Sequence, residues 1–290
     1  VVGGGRIFAM DANGLVVAHD MQTGKRLWRF DVVPKGERRG ALGGGLAIAG
    51  DTLFVTSGYG DVITLAVSNG AEIWRTPLKI PLASPPTVAG GLMFVVTNDN
   101  QTFGLRAEDG AAVWNHVGIA ETAGLVGAGS PAAADGVVVV PYSSGELVAL
   151  RANNGEVLWT DNLSRGGPTT ALGEITDING HPVVDRGTVY AVGHSGRMVA
   201  NDLVDGARLW TQDISGSGSP RIAGDFLYLV TSGSELIALS REDGRIRWVT
   251  ELPRYRRPAT LEGPITWGGP VLGSDRLIIV SSTGDAVAVS

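Results

Sequence analysis

Residues 18–28 have the sequence AHDMQTGKRLW, and the spacing inside this stretch returns along the whole chain. Gly24 is followed four residues later by Trp28, and Ala18 stands six residues before the glycine. The glycine recurs every 38 to 51 residues. Self-similarity at this period is typical of solenoids, propellers and other repeat arrays. The later glycine and tryptophan pairs are Gly70 and Trp74, Gly110 and Trp114, Gly155 and Trp159, Gly206 and Trp210, and Gly244 and Trp248.

Two further positions belong to the same repeat. A turn residue stands ten places before each glycine: Gly14, Gly60, Asn100, Gly145, Gly196 or Ser234. A residue no larger than threonine stands six places before it: Ala18, Thr64, Gly104, Ala149, Ala200 or Ala238. A seventh copy begins at Gly284 and Ala288, and the sequence ends before its tryptophan.

Each repeat predicts four antiparallel strands. Short β-branched runs such as 53–58 and 93–98 end in Gly, Ser or Asn, and pairs such as Asp109-Gly110 favour tight hairpin turns. Around Trp114 the predicted strands are 84–90, 93–98, 101–109 and 111–117. Four-stranded sheets repeated radially avoid exposed edges. We therefore predict an all-β fold, a β-propeller of four-stranded antiparallel blades with about seven blades in this chain.

The six repeat tryptophans are predicted to lie on the outermost strands as structural wedges between neighbouring sheets, mostly buried. The small residue on the third strand is expected to leave room for a ring from the next sheet. Trp267 falls outside the repeat and is expected in a loop.

The repeats predict a single β-propeller domain over residues 1–290, and the composition agrees with one body. The chain is 43% hydrophobic and 18% charged, carries a net charge of -6 and has no cysteine. The negative charge argues against a nucleic-acid partner, and the missing cysteines exclude disulfides and thiol chemistry. The chain begins with VVGGG rather than a signal peptide, which suggests a fragment or a processed core.

No residue pattern predicts catalysis, a cofactor or a metal site. The acidic pairs Glu108-Asp109 and Glu242-Asp243 fall at hairpin tips, where solvated turn residues are expected. The serine pairs at 143–144 and 281–282 lack a nucleophile-elbow pattern. The four histidines lie in different repeats without metal-ligand spacing: His19, His116, His181 and His194.

The long connections all join the fourth strand of one predicted blade to the first strand of the next. They are Asp31 to Gly44, Val117 to Ser130, Asp161 to Gly180 and Thr250 to Gly268. In a propeller these connections share a face, here called the insertion face, with the turns between strands two and three. Variable loops on a rigid scaffold are typical of binding surfaces, so we expect the partner site there.

Two charge clusters lie in those connections, at residues 35–39 and 254–257. Solvated surface is the simpler interpretation of both. The alternative is an anionic partner, with Tyr255 as an aromatic anchor.

The residues now support a family resemblance. The stretch 18–28 resembles the repeat A-x-D-x-x-T-G-K-x-x-W of pyrroloquinoline quinone (PQQ) enzymes and their non-catalytic relatives. Within that superfamily the chain is most similar to the BamB family of outer-membrane assembly factors. The resemblance implies eight blades, so about one blade would lie outside this sequence. The quinone enzymes use adjacent cysteines, which this chain lacks.

Two segments resemble binding loops of that family. Residues 123–131 are similar to its L-x-L-R-G loop, with Ala123 and Val126 in place of a leucine and an arginine. Residues 172–184 resemble its L-x-D-V-D-x-x-P-V-V loop, with Asn179 where aspartate is usual. The resemblance implies that Leu125, Val126, Asp177 and Asn179 bind the partner, and consecutive blades would place the two loops side by side.

The function that the resemblance implies is a non-catalytic scaffold of the outer-membrane β-barrel assembly machinery. Its expected partners are the periplasmic domains of a BamA-like insertase, with unfolded outer-membrane protein clients as further candidates. A lipid anchor at the periplasmic face of the outer membrane is also implied. Two alternatives stay open: a PQQ-dependent dehydrogenase-like enzyme or degenerate subunit, and a periplasmic propeller with another protein partner.

Overall fold

The computed structural model describes residues 1–119, 129–164, 178, 180–216 and 218–290, which contain strands and turns and no helix. The strands are β1 (Val2–Gly3), β2 (Arg6–Met10), β3 (Leu15–Asp20), β4 (Arg26–Asp31), β5 (Gly44–Ala49), β6 (Thr52–Ser57), β7 (Asp61–Ala66), β8 (Glu72–Pro77), β9 (Thr87–Ala89), β10 (Leu92–Val96), β11 (Gln101–Arg106), β12 (Ala112–Val117), β13 (Ala132–Ala134), β14 (Val137–Pro141), β15 (Glu146–Arg151), β16 (Val157–Asn162), β17 (Val183–Asp185), β18 (Thr188–Val192), β19 (Met198–Asp202), β20 (Arg208–Gln212), β21 (Arg221–Ala223), β22 (Phe226–Val230), β23 (Glu235–Ser240), β24 (Ile246–Glu251), β25 (Tyr255–Arg257), β26 (Glu262–Pro264), β27 (Trp267–Gly273), β28 (Arg276–Ser281) and β29 (Ala286–Val289).

The strands of the described residues form eight antiparallel sheets. Seven of them correspond to the seven sequence repeats and are called blades below, and the eighth pairs β25 with β26. Strands β1 to β24 make six blades of four strands, paired in chain order, and β27, β28 and β29 make a seventh blade of three. This confirms the predicted strand count around Trp114, where β9 to β12 lie in the order expected.

The sequence predicts an irregular connection from Thr250 to Gly268, and this prediction is wrong. The connection contains the hairpin of β25 and β26, in which Tyr255 pairs with Pro264 and Arg257 pairs with Glu262. The turn of this hairpin, residues 258–261, has no Asn-Gly or Asp-Gly dipeptide to mark it.

Trp267 was expected in a loop, and this expectation is wrong. It is the first residue of β27 and pairs with Ser281, while its indole nitrogen donates to the carbonyl oxygen of Pro253 at 2.9 Å. Two glycines and a proline follow it, which is typical of a loop. The strand accommodates them through a register shift between Gly268 and Val271.

The small residue of the third strand receives the tryptophan of its own blade rather than a ring from the next. Gly104 pairs directly with Trp114, and a Cβ atom at Gly104 would lie 2.3 Å from Cε2 of that ring. The expectation of a neighbour's ring is therefore wrong, because side chains opposite each other on adjacent strands share one face of a sheet. The same pairing joins Ala18 to Trp28, Thr64 to Trp74, Ala200 to Trp210 and Ala238 to Trp248.

The tryptophans do reach the next repeat, through their indole nitrogens. Trp114 donates to the carbonyl oxygen of Ala152 at 2.8 Å, and Trp159 donates to that of Leu203 at 2.9 Å. In each case the acceptor stands three residues before the glycine of the following repeat. The other donors and acceptors are Trp28 with Val67, Trp74 with Ala107, and Trp210 with Arg241.

Burial of the six tryptophans is less uniform than the sequence predicts. Trp114, Trp159 and Trp210 are at most 9% exposed, Trp28 and Trp74 are half-buried, and Trp248 is 36% exposed. The prediction of burial therefore fails at Trp248.

The chain divides into two compact units. The first comprises Val1–Tyr142 and Ala149–Leu158, and the second comprises Ser143–Val148 and Trp159–Ser290. In the first unit, Phe8 and Val16 of blade one pack with Leu53 and Ile63 of blade two. A second cluster joins blade two to blade three, and contains Phe54, Val62, Met93, Val95 and Leu105.

Clusters of the same kind lie among the described residues of the second unit. Tyr190 and Met198 of blade five pack with Leu227 and Ile237 of blade six. Blades six and seven meet through the second cluster, which contains Val230, Leu236, Leu252, Leu277 and Ile279. The apolar side chains of both units therefore lie mainly between consecutive sheets, as a repeat architecture requires.

Candidate functional site

The two connections singled out by the sequence run from β12 to β13 and from β16 to β17, and are called the first and second candidate connections. Leu125 and Val126 belong to the first, and Asp177 and Asn179 belong to the second. All four lie outside the residues that the structure describes. The described residues at the ends of each connection do have defined contacts.

The first candidate connection leaves blade three through Gly118 and Ile119. The amide of Gly118 donates to the carbonyl oxygen of Asn100 at 2.8 Å, and the Asn100 side-chain amide donates to the carbonyl oxygen of Ile119 at 2.7 Å. Asn100 is buried and has a left-handed φ of 61°, which asparagine tolerates in turns. One turn residue therefore holds two successive residues of the connection.

Tyr142 closes this end of the first connection from the side of blade four. It is fully buried, and a Cβ atom at Gly118 would lie 2.8 Å from its ring. Its hydroxyl lies 2.7 Å from Oγ1 of Thr102 and 2.9 Å from Nδ1 of His116, whose ring stacks on Tyr142. Only a glycine at position 118 fits against the ring without displacement.

The far end of the first connection is held by Ser130 and Pro131. The Ser130 hydroxyl donates to the carbonyl oxygen of Pro85 at 2.8 Å, and Thr87 donates to the carbonyl oxygen of Pro131. These four residues lie in or next to β9 and β13, which are the first strands of blades three and four. The connection is therefore anchored at both ends within the first unit.

The second candidate connection begins at Asn162, beside an ion pair of Asp161 and Arg208. Nε of Arg208 lies 2.8 Å from Oδ2 of Asp161, and Nη2 of Arg208 donates to the carbonyl oxygen of Asn162 at 2.8 Å. Asn201 donates a further hydrogen bond to Asp161 at 2.8 Å. Burial raises the pKa of Asp161, but the hydrogen bonds from Arg208 and Asn201 outweigh this effect and hold the pKa below its usual range.

The next residues of the second connection are also held. Leu163 is fully buried, its amide donates to the carbonyl oxygen of Gly145 at 2.9 Å, and its own carbonyl accepts from Ser195 at 3.0 Å. Arg197 donates to the carbonyl oxygen of Ser164 at 3.1 Å. Ser195 and Arg197 belong to the turn between strands two and three of blade five.

The far end of the second connection has one buried anchor. Ile178, which separates Asp177 from Asn179, is 1% exposed. Two residues on, a Cβ atom at Gly180 would lie 2.6 Å from the carbonyl oxygen of Gly218, and the amide of His181 donates to Oγ of Ser219 at 2.9 Å.

In both units, connections from strand four contact the turns between strands two and three. The hydroxyl of Tyr59 donates to the carbonyl oxygen of Arg38 in the first unit, at 2.7 Å. In the second unit the amide of Ser232 donates to the carbonyl oxygen of Ser215 at 3.0 Å. Within each unit, these contacts place a connection from strand four beside a turn between strands two and three, as the sequence predicts.

Partners within the chain take up much of the charge in the two clusters. Arg39 pairs with Asp31, and this hydrogen bond lowers the pKa of the Asp31 carboxyl. Arg257 pairs with Glu262 at 2.9 Å, and Arg254 lies 3.9 Å from Glu235. These pairs are exposed, which favours the interpretation of solvated surface.

The acidic and serine pairs that the sequence assigns to turns lie at or beside turns. Asp109 pairs with Arg106 and accepts a hydrogen bond from the amide of Ala111, and Ser144 donates to Glu146. Within the described ranges, no three His, Cys, Asp or Glu residues are grouped closely enough to hold a metal ion. The same part of the chain contains no helix with the length and apolarity of a membrane crossing.

Sequence reasoning missed the side chains that anchor the two connections, above all Tyr142, His116 and Arg208. A signal was available. His116 and Asp161 each stand two residues after a repeat tryptophan, so they face the same side of their strand as the ring that contacts the next blade.

Comparisons with known proteins agree with this architecture. A family model described as "Outer membrane protein assembly factor BamB" matches residues 12–250. Proteins of that name from Moranella endobia (strain PCIT) and Escherichia coli (strain K12) are 28% and 26% identical, over 96% and 93% of this chain and 71% and 69% of their own lengths. The crystal structure of BamB from Moraxella catarrhalis superposes with a TM-score of 0.80 at 20% identity, covering 98% of this chain and 84% of that one. The fold is thus an all-β propeller, and the chain belongs to the BamB family of outer-membrane protein assembly factors.

Proposed function

We propose that this protein is a non-catalytic scaffold of the outer-membrane β-barrel assembly machinery. It binds the periplasmic domains of the insertase, at the periplasmic face of the outer membrane, and thereby aids folding and insertion of outer-membrane proteins. The observation that carries the proposal is the family match, which spans 239 residues, from 12 to 250, and includes both candidate connections.

The proposed contact residues are Leu125 and Val126 in the first connection and Asp177 and Asn179 in the second. Support comes from the described residues around them. Val117 and Ile119, at the start of the first connection, are 61% and 60% exposed and therefore offer apolar surface to a partner. The second connection carries Asp177 and Asn179 on either side of a buried isoleucine.

Each connection contributes a different chemistry in this proposal. Leu125 is the apolar anchor, which becomes buried against the insertase. Asp177, supported by Asn179, accepts hydrogen bonds or pairs with a basic group of the partner. Rigid anchoring of the ends of each connection reduces the conformational entropy that binding must remove.

The proposal is tested by co-purification of the native protein in mild detergent. The insertase should be recovered with the scaffold in stoichiometric amount. Recovery of a different periplasmic protein, without the insertase, would instead favour an interaction module with another partner.

A second assay addresses the enzyme alternative. The purified protein is mixed with PQQ and calcium, and dye reduction and cofactor binding are measured. No binding and no dye reduction are expected. Either activity would contradict the non-catalytic part of the proposal.

A further inference from the structure

The residue two positions after each repeat tryptophan makes different contacts in the two blades that precede the candidate connections than in the other blades. Its side chain lies on the same face of strand four as the tryptophan ring, because side chains alternate along a strand. The six residues at this position are Phe30, Thr76, His116, Asp161, Gln212 and Thr250.

Among the described residues, the four other than His116 and Asp161 make no comparable hydrogen bond or ion pair. Phe30 packs in the apolar cluster of blades one and two, and Thr76 donates one hydrogen bond, at 3.0 Å, to the carbonyl oxygen of Gly110. Gln212 and Thr250 make no side-chain hydrogen bond to any residue that the structure describes.

His116 acts on the first candidate connection through Tyr142. Nδ1 of His116 and Oγ1 of Thr102 both lie within hydrogen-bond distance of the Tyr142 hydroxyl, at 2.9 and 2.7 Å. These contacts fix a ring that is fully buried and touches the position of Gly118. The hydroxyl contacts therefore fix the ring that packs against Gly118, beside the hydrogen bonds of Asn100 to Gly118 and Ile119.

Asp161 acts on the second candidate connection through Arg208. The carboxylate orients the guanidinium, which then donates to the carbonyl oxygen of Asn162, the last residue of β16. A planar guanidinium can meet both acceptors at once, which an ammonium group cannot do in the same geometry. Arg208 thus links the ion pair to the first residues of the connection.

We infer that His116 with Tyr142, and Asp161 with Arg208, are positioning residues that set the start of the two connections that bind the insertase. This inference rests on the proposed function for its binding consequence. None of these four side chains is assigned a contact with the partner. Tyr142 packs against Gly118, and Arg208 donates to the carbonyl oxygen of Asn162, so each pair holds the start of its connection in one arrangement before binding. This lowers the entropy cost of association.

The experiment uses two conservative variants and one matched control. Tyr142→Phe removes the shared hydroxyl and keeps the ring, and Arg208→Lys keeps the charge and loses the planar fork. Thr76→Val removes the hydrogen bond at the equivalent position of blade two, where no candidate connection follows. All three chains are compared with the unaltered chain by thermal unfolding, hydrogen–deuterium exchange, and titration with the insertase periplasmic domains.

We expect faster amide exchange at 118–119 in Tyr142→Phe and at 162–164 in Arg208→Lys, with unchanged exchange in β10 and β19. Each variant should weaken binding about 3- to 10-fold, the equivalent of one net hydrogen bond. Thr76→Val should bind as tightly as the unaltered chain.

Failure of the inference and failure of the proposed function give different results. If the unaltered chain binds and both variants bind equally well with unchanged local exchange, the positioning role is wrong and the function stands. If the unaltered chain does not bind the insertase domains, the function is wrong, and the exchange data alone decide the positioning role. A uniform rise in exchange across all strands would mean that the residues serve only global stability, which also overturns the inference.

Discussion

The ring of Trp114 lies directly against Gly155 of the next repeat, where an added Cβ atom would stand 2.6 Å from Cε3 of the indole. Gly155 also has a left-handed φ of 73°. Two separate features therefore require glycine at position 155: the left-handed turn conformation, and the close approach of the tryptophan ring of the preceding repeat. The same contact joins Trp28 to Gly70, Trp159 to Gly206 and Trp210 to Gly244.

The first prediction separates those two causes. Gly136 has a φ of 77° and no atom within 4 Å of an added Cβ, so Gly136→Ala introduces backbone strain alone. Gly155→Ala introduces similar strain and also displaces the Trp114 ring. We expect it to cost about 1 to 3 kcal/mol more than Gly136→Ala, because overpacking adds to strain. Urea unfolding measures the free energy of unfolding of both variants. Equal decreases would show that the contact with the Trp114 ring adds no cost.

The second prediction concerns the tryptophans themselves. Trp114→Ala should lower the free energy of unfolding by about 3 to 5 kcal/mol, through lost burial and a cavity. The same figure is expected for Trp159→Ala. Trp248→Ala should cost clearly less, since Trp248 is already 36% exposed. A loss below about 1 kcal/mol at Trp114, which is typical of a surface residue, would mean that the ring does not join neighbouring blades.

The third prediction follows from the lowered pKa of Asp161. The pKa of its carboxyl is lower in the folded chain than in the unfolded chain, so its stabilisation is present above the unfolded pKa and is lost as pH falls through the folded pKa. Asp161→Asn should therefore cost about 1 kcal/mol at neutral pH, allowing for solvent screening. The difference from the unaltered chain should shrink below about pH 4.

Asp109→Asn is the control for that experiment. Asp109 and its partner Arg106 are each 53% exposed, so the pair should contribute less than about 0.5 kcal/mol. Urea unfolding at several pH values gives the comparison, because urea is uncharged and does not screen the ion pairs. A pH-independent difference at Asp161 would show that its charge does not stabilise the fold.

The architecture could be predicted from the sequence because each repeat specifies a hairpin turn through its glycine and a packed outer strand through its tryptophan. Gly110 and Trp114 predict a hairpin and an outer strand, and β12 has that ring in place. The hairpin of β25 and β26 could not be predicted from the sequence, because its turn contains no Asn-Gly or Asp-Gly dipeptide. Trp267 was misjudged because Gly268, Gly269 and Pro270 resemble a loop, whereas a register shift keeps them within β27.

The candidate site was predictable only in part. A family resemblance named Leu125 and Asp177, but it gave no information on the side chains that hold the ends of their connections. Tyr142 follows β14 as an ordinary aromatic residue, and Arg208 belongs to a strand of the next blade. Their roles depend on contacts across 26 and 47 positions of sequence, which no local pattern records.

The fourth prediction concerns the charge clusters. Reversal of Arg254, Arg256 and Arg257 to glutamate should leave insertase binding within about 2-fold of the unaltered chain, as expected for exposed rim charges. Titration at two salt concentrations checks this. A large loss at both concentrations would assign binding to the hairpin of β25 and β26.

The central claim is tested most directly by titrating the double variant Leu125→Ala with Asp177→Ala against the insertase periplasmic domains. We expect an unchanged melting temperature, because neither residue stands at a repeat position, and a loss of binding of about 2 kcal/mol or more, roughly 30-fold in Kd. Unchanged affinity of this double variant, together with loss of binding in the triple arginine reversal, would contradict the account and place the partner site elsewhere.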